Sequence, residues 1–124
     1  MIAERGAGAQ LVMLVEDHAQ LRQMLEFTLA MLGYRVTAFA SGTEALAALE
    51  SGIAPDLVLT DIRMPGFPDG LQLAEWLRAH RAGTPVLLQT GYSTVPTGGF
   101  PVLRKPYTPE ELEAALAELL PRGS

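Results

Sequence analysis

The chain has 124 residues, enough for one domain that buries roughly two-thirds of its unfolded surface, so folding needs neither a disulfide nor a structural metal. It has no cysteine, which excludes disulfides, thiolate metal sites and cysteine nucleophiles, and its net charge of −5 with no Lys/Arg cluster argues against nucleic-acid binding by this chain alone. No apolar run reaches the ~18 residues of a membrane span, and the N-terminus lacks the apolar core of a secretion signal, so a cytoplasmic location is expected.

Residues 1–9 read as a flexible arm, 10–120 as the folded domain, and 121–124 as a tail, native or vector-derived, with no assigned function. Leu11 to Val15 is an unbroken apolar run, a strand buried on both faces that ends at Glu16-Asp17. Helical spacing then sets in with Leu21, Met24, Leu25, Leu29 and Leu32, with Asp17 as the expected N-cap and Gly33 as the stop. Tyr34 to Phe39 is a second strand. Ser41 with Glu44 has the form of a capping box and opens a short helix that buries Ala45, Leu46 and Leu49.

Leu57 to Leu59 is a third strand. It stops at Asp61, and Pro65 and Gly66 force a loop. Asp69-Gly70 precedes a helix that carries Leu73, Trp76 and Leu77 to about His80. A fourth strand, Val86 to Leu88, ends at Gln89-Thr90-Gly91-Tyr92. Pro96, Gly98 and Gly99 then deny a stable helix between residues 93 and 100, so a loop with at most one helical turn is expected there. Val102-Leu103 is a fifth strand running into Arg104-Lys105-Pro106. Thr108-Pro109-Glu110-Glu111 opens the last helix, whose stripe is Leu112, Ala115, Leu116, Leu119 and Leu120.

Strand and helix alternate, which predicts an α/β fold: a parallel sheet with helices on both faces. In such a sheet all carboxyl ends share one edge. Glu16 and Asp17, Asp61, Thr90 and Lys105 meet there, from the first, third, fourth and fifth strands. Clustered carboxylates repel unless a cation offsets them, and an all-oxygen set suits Mg²⁺. A lysine and a hydroxyl opposite such a metal serve a phosphoryl group's remaining oxygens, which implies phosphoryl transfer onto Asp61. Each residue alone would be an ordinary strand-end turn or cap; their order along the chain argues for a site.

These residues resemble the receiver domains of two-component response regulators, over Leu11 to Leu120, through Val15-Glu16-Asp17, Asp61-Ile62-Arg63-Met64-Pro65, Thr90-Gly91 and Lys105-Pro106. The resemblance implies a doubly wound, five-stranded, flavodoxin-like sheet of order 2-1-3-4-5, with residues 10–120 as the receiver. It implies that Asp61 accepts a phosphoryl group from a phosphohistidine on a sensor histidine kinase or a histidine phosphotransfer protein. Asp17, Asp61 and the backbone carbonyl of Arg63 would bind Mg²⁺, Glu16 would act through water, and Thr90 and Lys105 would hold the phosphoryl oxygens. The domain would not be an enzyme, beyond promoting its own phosphorylation and dephosphorylation at Asp61.

Three departures stand out. The position three residues before the lysine, usually a switch aromatic, is Val102; Tyr92 and Tyr107 are the nearest aromatics, and core packing is the expected role of Tyr107. Lys105 follows Thr90 by only 15 positions, and Thr90-Gly91-Tyr92 resembles an atypical subgroup with a reduced fourth helix, although Leu88-Gln89 departs from that subgroup's motif. The loop after Asp61 carries an extra Phe67-Pro68. Without the aromatic switch, phosphorylation is expected to act by drawing Thr90 inward and reordering the loop from Tyr92 to Phe100. Two alternative functions have signatures of their own. A phosphorylation-independent interaction module should have lost some of the acids or the lysine, and none is lost. An aspartyl-phosphate phosphatase should carry a second Asp two residues after the first, where this chain has Arg63.

Overall fold

The computed structural model describes residues 9–92 and 94–120; residues 1–8 of the expected arm, the tail at 121–124 and Ser93 lie outside the described residues. Strands β1 (Leu11–Val15), β2 (Arg35–Phe39), β3 (Leu57–Asp61), β4 (Val86–Thr90) and β5 (Val102–Arg104) alternate with α1 (Ala19–Met31), α2 (Gly42–Glu50), α3 (Gly70–His80) and, after β5, α4 (Pro109–Leu119). All strand pairs are parallel and the order is β2-β1-β3-β4-β5, the expected doubly wound sheet. β1, β3 and β4 lie in the middle and are buried almost throughout, which is why their sequences are continuous apolar runs. Among the described residues no helix links β4 to β5; Gly98 and Gly99 turn there with φ of 61° and 84°.

Side chains alternate between two apolar layers. Met13, Val15, Val58, Val86 and Leu88 pack with α2 and α3, whereas Val12, Leu14, Leu57, Leu59, Leu87 and Leu103 pack with α1 and α4. One step past the second layer, the same alternation reaches Glu16, Asp61, Gln89 and Lys105, all on the α1/α4 side of the sheet edge. Thr90 continues the other series, after Leu88.

Local capping departs from the expected pattern at two helices. His18, not Asp17, caps α1, its Nδ1 accepting the Leu21 N–H at 3.3 Å, which leaves Asp17 outside the helix and beside the other acids. At α2, Ser41 Oγ accepts the Glu44 N–H as expected, but Glu44 Oε1 accepts from Ala40 N–H at 3.1 Å, one residue farther out than a capping box requires. Complete capping boxes close α3 (Asp69 with Gln72) and α4 (Thr108 with Glu111). Met24, placed in the α1 stripe on spacing, is 58% exposed, because a helix that buries Leu25 and Leu29 turns position 24 off the core.

Candidate functional site

The site is built where β1, β3, β4 and β5 end. Each apolar strand runs one or two residues past its hydrophobic layer and presents a polar side chain that the layer cannot absorb. Glu16 is 1% exposed, Asp61 6% and Thr90 4%, so these groups are desolvated and need partners. Asp17 is exposed on the rim. Glu16, Asp17 and Asp61 can each present a carboxylate oxygen so that all three lie within 4.8 Å of one another.

Lys105 supplies the counter-charge. Its Nζ lies 2.7 Å from Asp61 Oδ1 and 3.3 Å from Glu16 Oε1. The Asp61 contact is a charge pair without good hydrogen-bond alignment, and among the described residues Asp61 Oδ1 has no hydrogen-bond partner, so this buried oxygen still has directed bonding capacity. Burial, and after it the neighbouring Glu16 carboxylate, push the Asp61 pKa up to about 7, against the pull of Lys105. Burial acts to lower the lysine's pKa, but Asp61 and Glu16 outweigh it and raise the value above the ordinary 10.5.

Glu16 is the most heavily bonded member. Its Oε1 accepts from Gln89 Nε2 at 3.2 Å as well as from Lys105, its Oε2 accepts the His18 N–H at 3.0 Å, and its backbone carbonyl accepts from Arg22 Nη1 at 2.8 Å. Gln89 in turn accepts at Oε1 from the Tyr107 hydroxyl. Gln89 received no role in the sequence reading, and Tyr107 only that of core packing. The alternation after Leu87 puts Gln89 on the face of Asp61, but only the register shows that the two lie side by side.

Thr90, Lys105, Asp61 and Arg63 line one cleft of about 70 Å³ together with Gln89, Gly91 and Tyr92. Thr90 Oγ1 accepts the Tyr92 N–H at 3.0 Å, which leaves its own hydroxyl proton to donate. The Tyr92 carbonyl accepts from Arg104 Nη1 at 2.9 Å, and the Arg63 guanidinium sits 5.4 Å from the Tyr92 ring centroid, within cation–π range. All six residues expected at the site therefore meet at one edge, four of them around the cleft and Glu16 and Asp17 in the acid cluster with Asp61. Val102, half-buried, packs with the α2/α3 layer.

The acid cluster fits a hard divalent cation. Its donors are all oxygen, one donor is buried and unsaturated, and the lysine lies within ion-pair distance of two of the three acids.

Comparisons with known proteins agree with this geometry. The response regulator receiver domain family matches residues 12–117. The C4-dicarboxylate transport transcriptional regulatory protein DctD of Rhizobium meliloti is 36% identical over 113 residues, covering 86% of this chain and 24% of that protein. The chain thus spans about a quarter of the length of this relative. A response regulator receiver protein from Sinorhizobium medicae superposes with a TM-score of 0.80 at 35% identity, covering 90% of this chain and 94% of that one. The receiver domain of sensor histidine kinase PA1611 from Pseudomonas aeruginosa, with a magnesium ion coordinated in its active site cleft, superposes with a TM-score of 0.80 at 30% identity, covering 90% and 97%. The family match begins inside β1 and ends inside α4, so it takes in every strand end that feeds the cleft: the chain belongs to the receiver domains of response regulators.

Proposed function

We propose that Asp61 is the phosphoacceptor of this domain, residues 10–120, and takes its phosphoryl group from a phosphohistidine on a sensor histidine kinase or a histidine phosphotransfer protein in the cytoplasm. The observation that carries this reading is the placement of Lys105 Nζ 2.7 Å from a buried, otherwise unpartnered Asp61 oxygen, beside two further acids. A buried carboxylate beside two further acids, with a lysine at ion-pair distance, suits a site at which an anion and a cation meet.

In the transfer, an Asp61 oxygen forms the bond to phosphorus as the bond from phosphorus to the histidine nitrogen breaks, and the imidazole leaves with the electron pair. Asp61 must be ionised to do this, and Lys105 favours that form. Asp17, Asp61 and the Arg63 carbonyl would hold Mg²⁺, with Glu16 acting through water. When bound, the ion supplies positive charge to offset the acids and a phosphoryl oxygen. Afterwards the Lys105 ammonium and the Thr90 hydroxyl donate to phosphoryl oxygens. The chain's own residues thereby promote both formation and hydrolysis of the acyl phosphate, and the domain acts as a signalling element rather than as an enzyme on a separate substrate. Its output passes to whatever protein surface the altered Thr90–Tyr92 segment meets.

Intact-mass measurement after incubation with acetyl phosphate and Mg²⁺ tests the assignment. Wild type should gain one phosphoryl group and Asp61→Ala none. An adduct that persists in Asp61→Ala overturns it.

A further inference from the structure

We propose that Gln89 and Tyr107 form a positioning relay that fixes Glu16 for divalent-cation binding and connects the acid cluster to the start of α4. The inference rests on the Mg²⁺ site proposed above.

Gln89 is fully buried near the end of a central strand, after the apolar run Val86 to Leu88 and beside Asp61, a setting in which an amide persists only with both ends bonded. Both are. The Glu16 carboxylate can only accept, so the amide nitrogen of Gln89 must face it, as found at 3.2 Å. That orientation turns the amide oxygen toward Tyr107, whose hydroxyl can donate and does. The chain of donors therefore runs one way, from Tyr107 through Gln89 to Glu16. Reversing the amide would set two oxygens against each other at one end. The carboxylate thus sets which way the amide faces, and the Tyr107 hydroxyl bonds the oxygen at the other end and holds the side chain in place.

The relay gains its use from the divided role of Lys105, which lies 2.7 Å from Asp61 and 3.3 Å from Glu16. When the ammonium turns to an anion at Asp61, the side-chain donor left on Glu16 Oε1 is the Gln89 amide, with the His18 N–H on Oε2. Glu16 then stays aimed into the cluster without its lysine. The relay also has an outlet. Tyr107 is followed directly by Thr108, the N-cap of α4, so a shift of Glu16 is felt where that helix begins. This path does not involve position 102, where the chain has valine.

The test is calorimetric titration of Mg²⁺ into wild type, Gln89→Met, Tyr107→Phe and the double variant, with melting in EDTA to establish that each is folded. Gln89→Met keeps length and removes the amide; Tyr107→Phe removes only a hydroxyl. Gln89→Met should weaken Mg²⁺ about 10-fold, the lower end for a residue that orients a ligand, and Tyr107→Phe should weaken it by a smaller factor. The double variant should be no weaker than Gln89→Met, because Tyr107 acts only through Gln89. Unchanged affinity in Tyr107→Phe, or losses that multiply in the double variant, overturns the relay. If Gln89→Met does not fold, Tyr107→Phe decides alone. A wild type that binds no Mg²⁺ overturns both the site and the relay, whereas a wild type that binds beside unaffected variants overturns the relay only.

Discussion

Asp61 sits in a conflict that its burial creates. Between its ordinary pKa of 3.8 and about 7, the folded metal-free chain retains a proton that the unfolded chain has released. Folding takes up that proton, so this residue's contribution to stability falls as pH rises through the window and levels off above it. In EDTA, wild type should therefore lose more stability between pH 4.5 and 8 than Asp61→Asn. The difference should be about 3 kcal/mol, with Asp61→Asn the more stable at pH 8. Chemical denaturation of both proteins at several pH values measures it, and parallel pH profiles would show that Asp61 is not strained in this way. The residues that carry this conflict were legible in the sequence, because acids, a hydroxyl and a lysine follow one another in order at successive strand ends, although each alone is an ordinary turn or cap. Gln89 was not, since a single amide after an apolar run looks like the ordinary end of a strand until its neighbour across the sheet is known. Tyr107 could be placed in the core by its position, but not given a bonding partner.

At the scale of elements, the start of α3 determines how closely a helix can approach the acceptor strand. A Cβ on Gly70 would lie 1.6 Å from the Asp61 carbonyl oxygen, and the Gly70 N–H donates to the Ile62 carbonyl at 2.9 Å. Gly70→Ala should cost about 2–4 kcal/mol and displace the Asp61 backbone, so that the rate of labelling by acetyl phosphate falls as well. Gly83→Ala is the control: among the described residues nothing lies within 4 Å of a Cβ there, and its stability should stay within about 0.5 kcal/mol of wild type. Thermal melts and labelling kinetics of the pair separate close approach from any general effect of replacing glycine. The strands and helices themselves could be read from the order of apolar runs and capping residues, down to the Thr108 box. What spacing could not supply was the choice between neighbours at helix ends. Asp17 and His18 both suit an N-cap, and the acid is withheld from that role by the cluster it joins.

For the whole molecule, the occupied site should hold the domain together more firmly than the empty one. A ligand that binds only the folded chain stabilises it by RT ln(1 + [L]/Kd), about 2.7 kcal/mol at 100 times Kd. Mg²⁺ should raise the melting temperature by several degrees relative to EDTA. Asp17→Asn should lose most of that gain while changing the EDTA melt little, because Asp17 is on the exposed rim. Scanning calorimetry of both proteins in the two buffers measures this, and an equal Mg²⁺ shift in Asp17→Asn would remove Asp17 from the ligand set. Hydrogen exchange over residues 94–100, with and without beryllofluoride, would show whether the loop expected to respond does so.

The two series of side chains that leave the sheet on opposite sides give the cleft a further property. By alternation along their strands, Asp61 and Lys105 follow Leu59 and Leu103 of the layer on α1 and α4, and Thr90 follows Leu88 of the layer on α2 and α3. A phosphoryl group on Asp61 that is also held by Thr90 would be a rivet through the edge of the sheet, fastened on both sides. The two layers otherwise form separate apolar clusters. One small anion would then make a shift in either layer a mechanical load on the other, and its hydrolysis would uncouple them in a single step.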